Sequence, residues 1–348
     1  MLEYRQFRTV NLADPFFDSL KSDYTEFSDW FERKADAYAY VFHSDAGQID
    51  GFLYLKEEDG PLTDVHPPLP PAQRIKVGTL KINAHGTRLG ERFLKKVFDH
   101  ALYLHAEEIY VTIFEHHQGL LNLIRRYGFE PIAQKTTANG VELVLNRRLR
   151  AEYENPQRSY PLVPLGRATP YLISIQPRWH TRLLPDSILN NEGADVIEDV
   201  SHSNSIHKVY LAAMRGMEYL QPGDPLVIYR MTDNLGPAHY RSVATSVCVI
   251  EEYRSLNSFE TWDEFYRYCS SYSVFTDVEL QSFWTKKTFP HIIRFTYNIA
   301  FKRRITRGSM IEQLGFDANA YWGFMPLSRQ QFFDVCRMGE IDESLIVN

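Results

Sequence analysis

One stretch constrains this chain more than any other. From Arg74 to Phe129 the residues read as strand, glycine-bearing turn, amphipathic helix, second strand and second helix in unbroken order. That order predicts two neighbouring strands running parallel through a right-handed crossover. Lys76-Val77-Gly78-Thr79-Leu80-Lys81-Ile82 is a strand-like run, and His85-Gly86-Thr87-Arg88-Leu89-Gly90 forms a turn that passes directly into Glu91-Arg92-Phe93-Leu94. Leu89, Phe93, Val97 and Ala101, with Leu94 and Phe98, recur at three- and four-residue spacing and give one apolar helical face toward a sheet. Glu108 to Phe114 is β-branched and aromatic, Leu120, Leu121, Leu123 and Ile124 repeat the helical spacing, and Tyr127-Gly128-Phe129 ends that helix with glycine. A turn entering a helix in this way can aim backbone N–H groups at an anion.

The flanks complete a domain. Asp14 to Phe31 has helical character, and Ala37 to His43 and Gly51 to Lys56 read as a hairpin around Asp45-Ala46-Gly47. Glu57 to Gln73 carries Pro67-Pro68 and Pro70-Pro71, so it is expected as a surface excursion and not as a central strand. Val141 to Leu145 adds a last strand. The length, 348 residues, predicts two domains. A net charge of -6 gives no global signal for a nucleic-acid or anionic-membrane partner. Cys248, Cys269 and Cys336 lack any paired spacing, which excludes a zinc knuckle or a disulfide framework by pattern and leaves no metal site expected. No apolar run approaches bilayer length, and the chain reads as soluble and cytoplasmic with no membrane partner.

The run His85 to Leu94, followed by Leu123-Ile124-Arg125-Arg126-Tyr127-Gly128-Phe129-Glu130, resembles the GCN5-related N-acetyltransferase (GNAT) family over about residues 1 to 148. The family's signature is Gln/Arg-x-x-Gly-x-Gly/Ala after a strand, then a Tyr-x-x-x-Gly-Phe ending one helix later. His85 stands where the family has Gln or Arg, and Arg88 stands at the first glycine, while Gly90 matches the second. The family's general-acid tyrosine falls at Ile124, leaving Tyr127, one turn nearer the helix end, as a substitute. The resemblance implies acetyl-CoA as cofactor, its pantetheine arm paired with the backbone of Leu80, Lys81 and Ile82. It also implies that the turn His85, Gly86, Thr87, Arg88, Leu89, Gly90 and Glu91, with His117 nearby, holds the pyrophosphate.

Acetyl transfer from a thioester to an amine needs aligned reactants, a base, donors for the carbonyl oxygen and an acid for the thiolate. Glu115, His116 and His117 fall where the second strand ends and the next helix begins, a cleft-facing place in an α/β sheet. Glu115, His116 and Tyr127 are the catalytic candidates. His116-His117 reads equally as a solvated helix start, Tyr127 also reads as core, and Glu57 and Glu58 are further candidates for the base.

Residues 149 to 169 are punctuated by Pro156, Pro161 and Pro164 and are expected as a linker. Beyond them Tyr171 to Ile175, Val209 to Leu211, Pro225 to Tyr229 and Tyr240 to Tyr253 read as strands. Four capping-box starts follow, at Asn257, Thr276, Ser309 and Ser328. Leu172 to Trp179, Gly223 to Tyr229 and Ser242 to Glu251 resemble the PUA-like superfamily that includes ASCH and EVE domains, so residues 170 to 348 are expected as a small β-barrel with helices. Many such domains bind RNA. Arg178, Trp179, Lys302, Arg303 and Arg304 are the candidate contacts, by phosphate neutralisation and base stacking; Trp179 as a core aromatic and the basic run as a solvated face are the competing readings.

The expectation is therefore an α/β (α+β) chain. A GNAT-like mixed sheet flanked by helices (1–148) would transfer acetyl from acetyl-CoA to an amine. The second domain would select the substrate, an amine associated with RNA such as a base or an aminoacyl-tRNA. A protein or small-molecule amine is the alternative acceptor. A protein that binds acyl-CoA or RNA without chemistry is the alternative class.

Overall fold

The computed structural model describes residues 2–44, 46–83, 88–151, 155–185 and 205–347. The chain divides into two compact units, Met1–Ala151 and Glu152–Asn348. The first is built on a seven-stranded mixed sheet of order β1-β2-β3-β4-β5-β7-β6. Its elements are β1 (Leu2–Gln6), α1 (Asp18–Asp23), α2 (Phe27–Arg33), β2 (Tyr38–His43), β3 (Ile49–Leu62), β4 (Leu69–Ile82), α3 (Leu89–Tyr103), β5 (Glu108–Ile113), α4 (Gln118–Arg125), β6 (Glu130–Thr137) and β7 (Gly140–Arg148). β4 and β5 are parallel and every other neighbouring pair in this sheet is antiparallel. The parallel pairing of neighbouring strands predicted from the sequence is thus in place.

All six apolar positions predicted for α3 are buried: Leu89, Phe93, Leu94, Val97, Phe98 and Ala101. α3 lies against β3 because Gly51 has no side chain; a Cβ there would sit 2.3 Å from Phe93 Cε2. The other face of the sheet packs an aromatic cluster of Phe7, Phe17, Phe31 and Phe52 beneath α1 and α2. Asp14 starts this region by accepting from the Phe16 N–H, with Pro15 at the first helical position.

The expected surface excursion at 57–73 is instead the far end of a long β3–β4 hairpin, with Gly60 opposite Ala72 and Leu62 opposite Leu69. Prolines are tolerated because β4 acquires its second neighbour, β5, only from Arg74 onward. Pro70 and Pro71 therefore lie on a strand with one free edge.

The second unit contains α5 (Pro156–Ser159), β8 (Val163–Pro164), β9 (Tyr171–Ile175), α6 (Pro177–Leu183), β10 (His207–Ala212), β11 (Pro225–Arg230), α7 (Ala238–Arg241), β12 (Val243–Ser255), α8 (Trp262–Ser270), α9 (Asp277–Lys286), β13 (His291–Thr306), α10 (Arg307–Leu314), β14 (Phe324–Pro326), α11 (Arg329–Met338) and β15 (Ile346–Val347). Six of its strands form a sheet of order β10-β13-β12-β11-β9-β14. Among the described residues β10 and β14 do not pair with each other, so no barrel closure is seen there.

Both faces of this sheet are covered. Ile173, Leu226, Ile228, Cys248 and Ile250 point into one core, and the intervening Leu172, Val227, Tyr229, Val247 and Val249 into the other. The stretch expected as a linker is partly inside this unit, since Tyr160, Leu162, Val163 and Leu165 are buried and β8 pairs with β15. Proline spacing suggested a linker, but the apolar residues between the prolines decide burial. Cys248, Cys269 and Cys336 are buried free thiols. Among the described residues no helix is long and apolar enough to cross a membrane.

Candidate functional site

The site begins where the first sheet comes apart. β4 and β5 pair only from Arg74–Glu108 to Val77–Val111. Beyond Val77, β4 continues through Gly78 to Ile82 bonded to β3 alone, while Thr112 and Ile113 of β5 bond to β7 alone. Two strands that diverge leave facing edges with unpaired N–H and C=O groups, which a polar extended ligand can satisfy. A cleft of about 1020 Å³ runs through this opening and is lined by Gly78, Leu80, Ile82, Thr112 and residues of both flanking faces.

The vertex carries an irregularity. Tyr54 pairs with Thr79 and Leu55 with Val77, so Gly78 is an extra residue, a β-bulge. A Cβ on Gly78 would lie 2.7 Å from Tyr54 Cδ1, so glycine is required for the ring and the bulge to coexist. The bulge leaves Gly78 without a partner in the β3–β4 register at the narrow end of the opening.

At the wide end stands the N-terminus of α3. Its N-cap residue Arg88 makes no side-chain cap, and Arg88, Gly90 and Glu91 line the cleft. Such a terminus attracts negative charge by about 0.3–1 kcal/mol. Arg88 is half-buried, with its guanidinium 3.9 Å from Glu91 Oε1. Of the sequence candidates for cofactor contact, Leu80, Lys81, Ile82, Arg88, Gly90, Glu91 and His117 line the cleft, whereas Leu89 turns into the core. His85, Gly86 and Thr87 lie outside the described residues. Gly90 has a packing duty too, because a Cβ there would be 2.8 Å from Leu123 Cδ2. Lys81 donates a hydrogen bond to Ser19 Oγ, and burial draws its pKa down against the opposing pull of Asp18 and Asp23.

The catalytic candidates separate. Tyr127 is fully buried against Phe98 and has no access to the cleft, so it is core and not an acid. Ile124 is buried as well, and the cleft lining from α4 and its C-cap is Gln118, Gly119, Leu120, Leu123 and Arg126, with no phenol. Glu115 is exposed and does not line the cleft. His116 and His117 do line it, and both face Asp23 at the end of α1: His117 Nε2 lies 3.2 Å from Asp23 Oδ2 and His116 Nε2 lies 3.9 Å from Oδ1. Burial, then the neighbouring His116, holds His117 below the usual imidazole range, with Asp23 opposing. The ligand atoms of Asp23, His116 and His117 lie within 4.8 Å of one another, a set that can hold a cation although no metal spacing was legible in the sequence.

Glu58, a base candidate from the sequence, lines the cleft together with Lys56, Lys76, Tyr24 and Glu142, which the sequence did not single out for the site, and buried Tyr110 lies behind it. Tyr110 donates to Glu58, Lys56 donates to the same carboxylate at 2.8 Å, and Tyr24 donates to Glu142 at 2.7 Å. Burial alone would raise the Glu58 carboxyl, but the hydrogen bonds from Lys56 and Tyr110 bring it below its ordinary value. Burial, then the hydrogen bond to a carboxylate, pushes both phenols well up, so they stay protonated. The signal for Lys56, Glu58 and Lys76 was present as polar residues on one side of alternating strands. Tyr24 and Glu142 gave none, being united only by the fold.

In the second unit Trp179 is buried among Tyr210, Phe275, Phe283 and Phe289, so it cannot stack on a base. The exposed Arg178 guanidinium sits over the indole at 4.0 Å from its centroid. Lys302 and Arg303 are exposed on β13, and half-buried Arg304 donates to the Phe301 carbonyl.

No family model and no curated protein matches this chain. Solved structures similar to parts of it include a putative phosphinothricin N-acetyltransferase, 17% identical over 44% of this chain and 100% of that one, with a TM-score of 0.32. The IAA acetyltransferase from Bacillus cereus is 12% identical over 43% of this chain and 99% of that one, at 0.30. The ASCH protein of Zymomonas mobilis is 8% identical over 49% and 95%, also at 0.30. Scores and identities this low assign neither activity nor substrate to the chain.

Proposed function

We propose that the first unit is an acetyl-CoA-dependent N-acetyltransferase. The observation that carries this is the sheet opening between β4 and β5, with a bulge at Gly78 at its narrow end and the uncapped N-terminus of α3 at its wide end. The residues fit the cofactor: the free edge of Leu80 to Ile82 suits a pantetheine amide chain, and Arg88 with the α3 terminus suits its phosphates. Bound there, acetyl-CoA supplies an activated thioester, so that the acceptor's N–C bond forms as the C–S bond breaks, the electron pair leaving on sulfur and the amine proton passing to a protein base.

Glu58 is that base in this reading. Its carboxyl is held below the ordinary value, it lines the cleft on the paired side of the opening, opposite Arg74 in the β3–β4 register, and it is oriented by Lys56 and Tyr110. A peptide N–H on the β4 edge that β5 leaves unpaired beyond Val77 is the donor for the acetyl oxygen in this reading. Tyr54, Trp30 and Lys34 wall the acceptor side, the Trp30 and Tyr54 rings packing edge to face. Coenzyme release measured as free thiol, with a panel of amines, tests the reading. Turnover that Glu58→Gln abolishes supports it, and tight cofactor binding with no turnover on any amine points to the non-catalytic alternative.

An RNA-borne acceptor rests on fewer residues than the sequence offered, because Trp179 is in the core. Exposed Arg178, Lys302 and Arg303 remain, and retention of tRNA on a filter by the full chain, compared with Lys302→Ala/Arg303→Ala, measures what the last two contribute.

A further inference from the structure

The floor of the cleft below the vertex concentrates like charge. Lys56 and Lys76 are directly opposite each other in the β3–β4 register, a placement that costs stability when both are cationic. Lys135, from β6, lines the same floor. Two of the three are matched: Lys56 to Glu58 at 2.8 Å and Lys135 to Asp64 at 2.6 Å. Lys76 is not. Half-buried on the strand just before the opening, its ammonium has no ion pair or hydrogen bond among the described residues and lies over the Tyr110 ring, 5.6 Å from its centroid. Burial, then Lys135, lowers its pKa, with Glu58 and Asp64 opposing. Lys34 repeats the pattern on the rim, with its ammonium 5.7 Å from the Tyr54 centroid.

From these placements we infer that the acceptor is a small amine that also bears a compact anion, a carboxylate or a phosphate, seated on Lys76 while its amino group faces Glu58. The inference rests on the acetyltransferase reading of this cleft and narrows its substrate class. Lys76 would act as a point-charge receptor for the anion, and the like-charge arrangement across β3 and β4 is relieved when the anion enters. Glu58, held by Lys56 and Tyr110, stays available to the amine on the same strand face. A neutral amine of equal size would leave Lys76 unmatched and gain nothing from it.

Two readouts test this. In the first, initial rates of thiol release are compared within pairs that differ in the anion: phosphoethanolamine against ethanolamine, and glycine against glycinamide. In the second, which needs no cofactor, trace labelling of Lys76 by acetic anhydride is followed by mass spectrometry with and without phosphoethanolamine, glycine or ethanolamine. The expected result is at least tenfold higher kcat/KM for the anionic member of one pair, and slower labelling of Lys76 by that anionic amine only. Preference for phosphoethanolamine assigns a phosphate, and preference for glycine a carboxylate. Lys76→Met should erase the preference through KM, and Lys76→Arg should restore part of it. Equal rates within both pairs, with Lys76 labelling unaffected by either anion, would overturn the inference while leaving acetyl transfer intact. Absence of turnover together with absence of acetyl-CoA binding would instead strike the parent reading.

Discussion

The two sheets of this chain treat their polar groups in opposite ways. In the first unit β4 leaves its partner after Val77, and the residues around the gap are Lys76, Glu58, Tyr110, Thr112 and His117. In the second, β9, β11, β12 and β13 stay paired, and alternate residues vanish into two cores. An open sheet exposes main-chain edges and can receive a ligand; a sheet covered on both faces spends the same apolar pattern on stability. The contrast supports placing the proposed chemistry in the first unit and makes tight packing the role of Trp179 in the second.

Variants can break that contrast. Trp179→Ala should show the largest effect, a loss of about 3–5 kcal/mol of stability in urea unfolding, as expected for removing a buried aromatic. A loss below ~1 kcal/mol would mean the indole is not core. Glu58→Gln should cut kcat by roughly 10²–10⁴-fold with the urea midpoint little changed. An unaltered rate would move the base elsewhere, with His117 next in line.

A pH series sharpens the comparison from the other side. His180 is fully buried, donating to or accepting from Thr245 Oγ1 at 2.8 Å. Burial, then the Arg230 and Arg304 charges, pushes its pKa down to about 3. The unfolded chain takes up a proton near pH 6.5 that the folded chain refuses, so this contribution is complete above that pH. It falls by up to about 1.4 kcal/mol per pH unit as the pH drops toward 3. His180→Asn should flatten that slope, and an unchanged slope would remove His180 as its source. Smaller again, Arg88→Ala should weaken acetyl-CoA three- to tenfold, about 1 kcal/mol, since a cation near phosphates acts beside the helix terminus. A titration indistinguishable from wild type would take Arg88 out of the phosphate site. Smallest of all, Lys302→Ala should shift stability by less than ~0.5 kcal/mol.

What the sequence made legible follows from how local each signal is. The apolar stripe of α3 and the crossover order needed only short windows, and both are realised. Two of the four capping boxes stand as read, at Thr276 and Ser328. The other two are displaced, because α8 is capped by Thr261 and α10 by Thr306. Several Ser, Thr and Asn residues compete near each start, and packing of the helix decides among them. Leu80 to Ile82, Arg88, Gly90 and Glu91 were legible as cleft-lining residues because they adjoin one turn and one strand. The acceptor floor was not: Tyr24 meets Glu142, and Asp23 meets His116 and His117, only after the sheet is assembled. Tyr127 and Trp179 illustrate the converse, side chains with suitable chemistry whose apolar bodies are claimed by the core.

The central claim is that the opening between β4 and β5 holds a coenzyme A thioester. Isothermal titration of the full chain with acetyl-CoA tests it most directly. The account predicts a single saturable site per chain whose affinity falls in Gly78→Val, where a side chain must displace Tyr54 and the bulge, while Trp179-side packing is untouched. Absence of any binding heat across a range of temperatures, with the chain shown to be folded, would contradict it.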